Sequence, residues 1–105
     1  MTFCKTFFLL LFSGAFLMQS NGVLAHYPLM VCSAVGVLIN CEVGFSDGSK
    51  AIGKPVRIFD YQENLIQTRK ADRFSRVQFE RPEGEFYLQF DSGHEFPVEV
   101  DVGEL

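Results

Sequence analysis

The two histidines of the chain, His26 and His94, are its best candidates for metal chemistry. His94 lies in a loop sequence between Asp91 and Glu95, two carboxylates that could add oxygen ligands. If the chain is cut before His26, the new α-amine and the imidazole Nδ1 can form one chelate ring, and this nitrogen pair suits Cu(II) or Ni(II). The amine must lose its proton to bind, so metal affinity should fall below neutral pH.

Each histidine also has a plainer interpretation. His26 can simply be the residue that follows a cleavage site, and His94 can be part of the solvated surface of a glycine-containing loop. The sequence does not give the distance between them. A joint metal site is therefore one hypothesis, and two histidines without a common role are the other.

Residues for catalysis cannot be assembled into a recognisable arrangement. The chain has no His-Glu-x-x-His motif and no glycine-rich phosphate loop, and no serine, histidine and aspartate fall into a convincing order. Glu83 and Glu85 flank a glycine and read as a solvated turn. We therefore predict that the protein is not an enzyme and uses no organic cofactor.

The amino-terminal 25 residues have the pattern of a secretory signal peptide. Lys5 precedes an uncharged run from Phe7 to Met18, and the small-residue sequence ending at Ala25 resembles a cleavage site. A membrane anchor is the alternative, but the continuous apolar run is shorter than the ~20 residues that a spanning helix needs. We predict cleavage after Ala25, a periplasmic or otherwise exported protein, and one folded domain over residues 26–105.

The predicted mature chain is acidic. Removal of the leader takes Lys5 from the nine basic residues and leaves all thirteen acidic ones, so the net charge becomes −5. Such a surface repels phosphate backbones, and the one basic cluster, Arg69-Lys70 with Arg73 and Arg76, is followed by acidic residues. Nucleic acid is therefore not an expected partner.

The segment that follows the leader predicts a β-hairpin. Apolar residues alternate from Val37 to Phe45, and Gly36 can open a two-residue type II′ turn before them. This turn sets Cys32 opposite Cys41 and places the apolar side chains of both strands on one face. In an oxidising compartment the two cysteines would form a disulfide, and a pair of buried thiols is the alternative.

The rest of the chain repeats short strand patterns. Pro55 can begin a strand, where its missing N–H is tolerated, and further runs with period two follow at intervals of about 8–12 residues. In the last of these runs, Phe96, Val98, Val100 and Val102 are expected on one buried face. About seven strands without helical periodicity predict an all-β fold, an antiparallel β-sandwich.

The order of these motifs resembles the small exported proteins with a carboxypeptidase-regulatory-like, or transthyretin-like, β-sandwich. More narrowly, the mature chain is similar to the nickel and cobalt transport accessory proteins among them. Members of that family begin with a histidine like His26, carry a turn like Phe45-Ser46-Asp47-Gly48 and have a late pair like Gly93-His94. The resemblance implies a bound Ni(II) or Co(II) ion, with Cu(II) also possible, and a membrane metal transporter as partner.

The chain departs from the family pattern at three positions. Ala71 stands where the family usually has threonine, Ser75 where it has a loop glycine, and Val77 where phenylalanine is common. Both histidines are kept. The related transthyretin-like hydrolases end in tyrosine-arginine-glycine-serine, which the terminal residues 101–105 do not match. A β-sandwich that binds other proteins through a sheet edge or its acidic face, without metal, is the alternative function.

Overall fold

The structure is a computed structural model that describes residues 26–94 and 96–105. It is an all-β sandwich of two antiparallel sheets, with strand orders β1-β2-β5 and β4-β3-β6-β7. The predicted leader, residues 1–25, lies outside the described residues, and its cleavage stays a prediction. The strands are β1 Pro28–Val35, β2 Leu38–Phe45, β3 Pro55–Asp60, β4 Leu65–Lys70, β5 Arg76–Glu80, β6 Phe86–Phe90 and β7 Val98–Asp101.

The first hairpin has the predicted register. Val35 pairs with Leu38 and Cys32 pairs with Cys41 across the antiparallel β1–β2 ladder. Of the two turn residues only Gly36 has a positive φ, 60°, as a type II′ turn requires. The local turn chemistry therefore fixes which residues of β1 and β2 face the second sheet.

The core lies between the two sheets. Along β1, β2, β3, β5 and β6 alternate residues point inward, which is the period-two pattern of a sheet with one solvated face. None of the six residues of the edge strand β4 is buried. β1 packs against β7 at one side of the sandwich, and β4 packs against β5 at the other. The buried apolar residues are Met30, Ile39, Cys41, Val43, Ala51, Val56, Ile58, Ala71, Val77, Phe79, Phe86, Leu88, Phe90 and Val100.

Two apolar residues expected on the buried faces lie outside them. Val37 is the second turn residue of the first hairpin and is 76% exposed. Phe96 precedes β7 and is 89% exposed, because the ladder between β6 and β7 begins only at the Phe90–Val98 pair. The alternation of side chains holds only where a neighbouring strand fixes the pleat, so it fails at these two strand ends.

Within the described residues, no helix is long and apolar enough to cross a membrane. The one helical element in the described part of the chain is a single 3-10 turn, Val102–Glu104, after β7. Asp101 caps this turn, because its carboxylate accepts the N–H of Gly103. The capped turn ends the described chain against the core, where Val102 and Leu105 are partly buried.

Candidate metal site

The beginning of the domain is tied to the turn after β2. Tyr27 donates its N–H to the Ser46 hydroxyl at 3.0 Å, and its carbonyl oxygen accepts the Ser46 N–H at 2.9 Å. The turn itself is closed by the N–H of Gly48, which donates to the Phe45 carbonyl oxygen. This pair of hydrogen bonds extends the β1–β2 pairing and positions His26, the residue before Tyr27.

The His26 side chain packs on an aromatic row. Its imidazole meets the Phe45 ring edge to face, with centroids 5.4 Å apart, and Phe45 lies 6.2 Å from the ring of Phe90. Phe90 is the last residue of β6, and the β6–β7 loop that contains His94 starts directly after it. His26 and the His94 loop therefore lie at the same end of the sandwich.

Asp47 is an acidic neighbour of His26 that the sequence analysis did not single out. Ser49 donates both its hydroxyl, at 2.7 Å, and its backbone N–H, at 3.0 Å, to the Asp47 carboxylate. These two bonds hold the pKa of Asp47 below its usual value, and the nearby His26 lowers the pKa further. Asp47 is therefore ionised near neutral pH and adds a negative charge at the end of the sandwich that carries His26.

His94 is exposed in the β6–β7 loop. Its N–H donates to the hydroxyl of Ser92 at 3.3 Å, and the Asp91 carboxylate accepts the N–H of Gly93 at 3.0 Å. Gly93 has a φ of 89°, a conformation that favours glycine, so this loop takes a defined bend just before His94. These contacts involve the backbone of His94, which leaves its imidazole available for a ligand.

No three histidine, cysteine, aspartate or glutamate side chains in residues 26–94 and 96–105 are grouped as a metal site would need. The structure brings His26 to Asp47 and to the end of the sandwich that carries His94, and it does not gather these residues into a ready cluster. Glu95 is not among the described residues. A site built on His26 would rely on its α-amine as well as on side chains.

The two cysteines of the first hairpin, Cys32 and Cys41, form a disulfide, as predicted. Cys32 and Cys41 are bonded across the first hairpin, and their Cα atoms are 4.0 Å apart. Cys41 is buried, so the bridge connects the hairpin next to the core. This bond removes both thiols from any metal-binding role.

A second polar cluster lies on the outer face of the four-stranded sheet, and the sequence analysis missed it. Tyr61 donates its hydroxyl to Asp101, and Tyr87 donates its hydroxyl to Glu63 at 2.7 Å. The Phe59 ring stacks on Tyr87 at 5.5 Å. The only sequence signal was the polar alternation of β6 and β7, which does not reveal which strands are neighbours.

These observations define the protein class as an all-β sandwich with one disulfide and an exposed histidine at its first described residue. Comparison of the chain with family models, with curated proteins and with solved structures gives no match. The likeness to nickel and cobalt transport accessory proteins therefore depends on the motifs quoted above.

Proposed function

We propose that the protein is an exported, non-enzymatic metal-binding accessory protein that acts beside a membrane metal transporter. Ni(II) or Co(II) is the favoured ion, and Cu(II) is the alternative. The observation that supports this function is the pair of Tyr27–Ser46 hydrogen bonds, which holds His26 at the same end of the sandwich as the His94 loop.

The proposed ligands are the α-amine of His26, its imidazole and the imidazole of His94. Nitrogen ligands suit Ni(II), Co(II) and Cu(II) better than Mg(II) or Ca(II), which prefer oxygen. The Asp47 carboxylate, whose pKa is lowered by its hydrogen bonds from Ser49 and by the charge of His26, is a further candidate ligand. Cu(II) should bind most tightly in solution whatever the physiological ion, so selection among metals would depend on the transporter.

The test uses the full chain expressed with its own leader and purified from the exported fraction. Intact mass and amino-terminal sequencing establish whether the product begins at His26. Calorimetry then compares Ni(II) binding to this product, to His26→Ala and to His94→Ala. His26→Ala removes the imidazole half of the amine–imidazole chelate at an exposed residue, so we expect each change to weaken binding at least tenfold.

Phe96→Ala is the matched control for His94→Ala. Both residues are exposed in the β6–β7 loop, but phenylalanine has no metal-binding atom. The control should bind Ni(II) as the parent protein does. Equal affinity in the parent, His26→Ala and His94→Ala would reject the metal site.

An interaction module without metal is the second candidate function. The observation that favours it is the absence of charged residues on the edge strand β1. Under this alternative His26 and His94 have no joint role. The export prediction is common to both functions and is tested by the same mass measurement.

A further inference from the structure

The edge strands of the two sheets differ in charge. The edges are β1 and β5 in one sheet and β4 and β7 in the other. Charged side chains on an edge strand discourage its pairing with another chain. β1 has none over its eight residues, PLMVCSAV. Each of the other three edge strands carries two charged residues. These are Arg76 and Glu80 on β5, Arg69 and Lys70 on β4, and Glu99 and Asp101 on β7.

The backbone of β1 offers hydrogen-bonding groups at this edge. Cys32 and Cys41 have the close Cα spacing of a non-hydrogen-bonded antiparallel pair, 4.0 Å, so their backbone groups point away from each other. Val43, on the same strand as Cys41, confirms this direction because its N–H donates to Ser75 on the β5 side. On β1 the N–H and C=O groups of Met30, Cys32 and Ala34 therefore point to the open edge.

Beside these groups lies a row of exposed apolar side chains. Leu29, Val31 and Val35 alternate with the inward residues of β1 and project from the outer face of the three-stranded sheet. Val31 is 72% exposed. An uncharged strand of this length, with open backbone groups and an apolar outer face, is a template for strand addition.

We propose that β1 pairs antiparallel with β1 of a second copy of this chain, which joins the two three-stranded sheets into one continuous sheet. The two-fold axis passes through Cys32, so Met30 lies opposite Ala34 of the second copy and Leu29 lies opposite its Val35. Every outward N–H and C=O of Met30, Cys32 and Ala34 then has a partner. Met30 and Ala34 meet on the inner face of the new ladder, and on the outer face Leu29 meets Val35 while Val31 lies opposite the uncharged Ser33.

Each copy of the chain brings the same uncharged β1 edge, which is complementary to itself about Cys32, so a second copy fits this edge. The predicted mature chain is acidic and copies of it repel one another in general, so two copies can meet only where they bring no like charges together. Self-pairing of β7 would bring Glu99 and Asp101 close to their own counterparts, whereas β1 brings no like charges together. The dimer does not depend on metal binding, so the two proposals fail separately.

Sedimentation equilibrium of the protein purified after expression of the full chain tests the dimer. We expect a monomer–dimer equilibrium, and Val31→Lys should raise its dissociation constant at least tenfold, because each β1 then carries a charge into the new ladder. Val37→Lys is the matched control, since Val37 is similarly exposed, at 76%, but lies in the turn beyond β1. The control should dimerise like the parent protein.

Hydrogen exchange identifies the paired edge. In the dimer, the amides of Met30, Cys32 and Ala34 should exchange slowly, and in Val31→Lys they should exchange fast, while those of Val31 and Val35 stay protected by β2. Ser33→Lys, another exposed change on β1, gives a second test if Val31→Lys folds poorly. A parent protein that is monomeric up to about 1 mM would overturn the proposal. So would a dimer that both lysine variants on β1 leave intact.

Discussion

The hydroxyl of Ser75 donates a hydrogen bond to the carbonyl oxygen of Val43, 32 positions earlier in the chain. The same hydroxyl accepts the N–H of Ala51 at 2.7 Å, so one side chain joins β2, the loop after it and the start of β5. Ser75 is 3% exposed and has a φ of 66°, a backbone conformation that favours glycine. Its two buried hydrogen bonds offset the strain of this conformation.

Ser75→Ala should destabilise the domain by about 1–3 kcal/mol, because it leaves the N–H of Ala51 and the carbonyl of Val43 without their partner. Ser75→Gly loses the same hydrogen bonds but removes the backbone strain of the positive φ, so it should be less destabilising than Ser75→Ala by about 1 kcal/mol. Urea unfolding followed by circular dichroism measures both values. If glycine is the more damaging substitution, strain at Ser75 is not significant.

The sequence predicts features that are set locally. The Cys32–Cys41 register follows from the Gly36 turn and from the alternation of apolar residues, both of which lie within one hairpin. The deciding interactions of this hairpin are close together in the chain.

Features that depend on strand neighbours could not be predicted. Tyr61 and Asp101 are 40 positions apart and meet only because β3, β6 and β7 lie side by side. The contact of His26 with Phe45 has the same origin, since it needs both the β1–β2 register and the Tyr27–Ser46 bonds. The alternation pattern assigns a residue to a face of its strand, but it does not say which strand lies beside it.

Replacement of both Cys32 and Cys41 by alanine should lower the free energy of unfolding by about 2.7 kcal/mol, the chain-entropy value for a ten-residue loop. Reduction of the parent protein should have a similar effect on its urea midpoint. The double variant should be insensitive to reductant, which separates the effect of the bond from side effects of the reagent. Two thiols that react without reductant in the unfolded exported protein would contradict the bridge.

The two tyrosine–carboxylate pairs should make the fold sensitive to alkaline pH. The hydrogen bond to Asp101 is the main reason why the pKa of Tyr61 is raised to about 12. The hydrogen bond to Glu63 likewise raises the pKa of Tyr87 to about 12. A neutral phenol donates a hydrogen bond to the carboxylate, whereas a phenolate next to the carboxylate is repelled.

The sign of the effect on stability follows from the raised pKa values. Because the folded values exceed the ordinary value of 10.0, both pairs stabilise the fold fully below pH 10 and lose this contribution as the pH rises toward 12. The difference in unfolding free energy between the parent and Tyr61→Phe should therefore shrink over that range.

Phenolate absorbance during an alkaline titration measures the ionisation directly. Two tyrosines of the parent should ionise near pH 12, and Tyr61→Phe should leave one such group. Tyr27→Phe is the control, because Tyr27 belongs to neither tyrosine–carboxylate pair. This variant should keep both ionisations near pH 12. Ionisation of Tyr61 and Tyr87 near pH 10 while circular dichroism still reports the native sheet would show that these hydrogen bonds do not hold the phenols neutral.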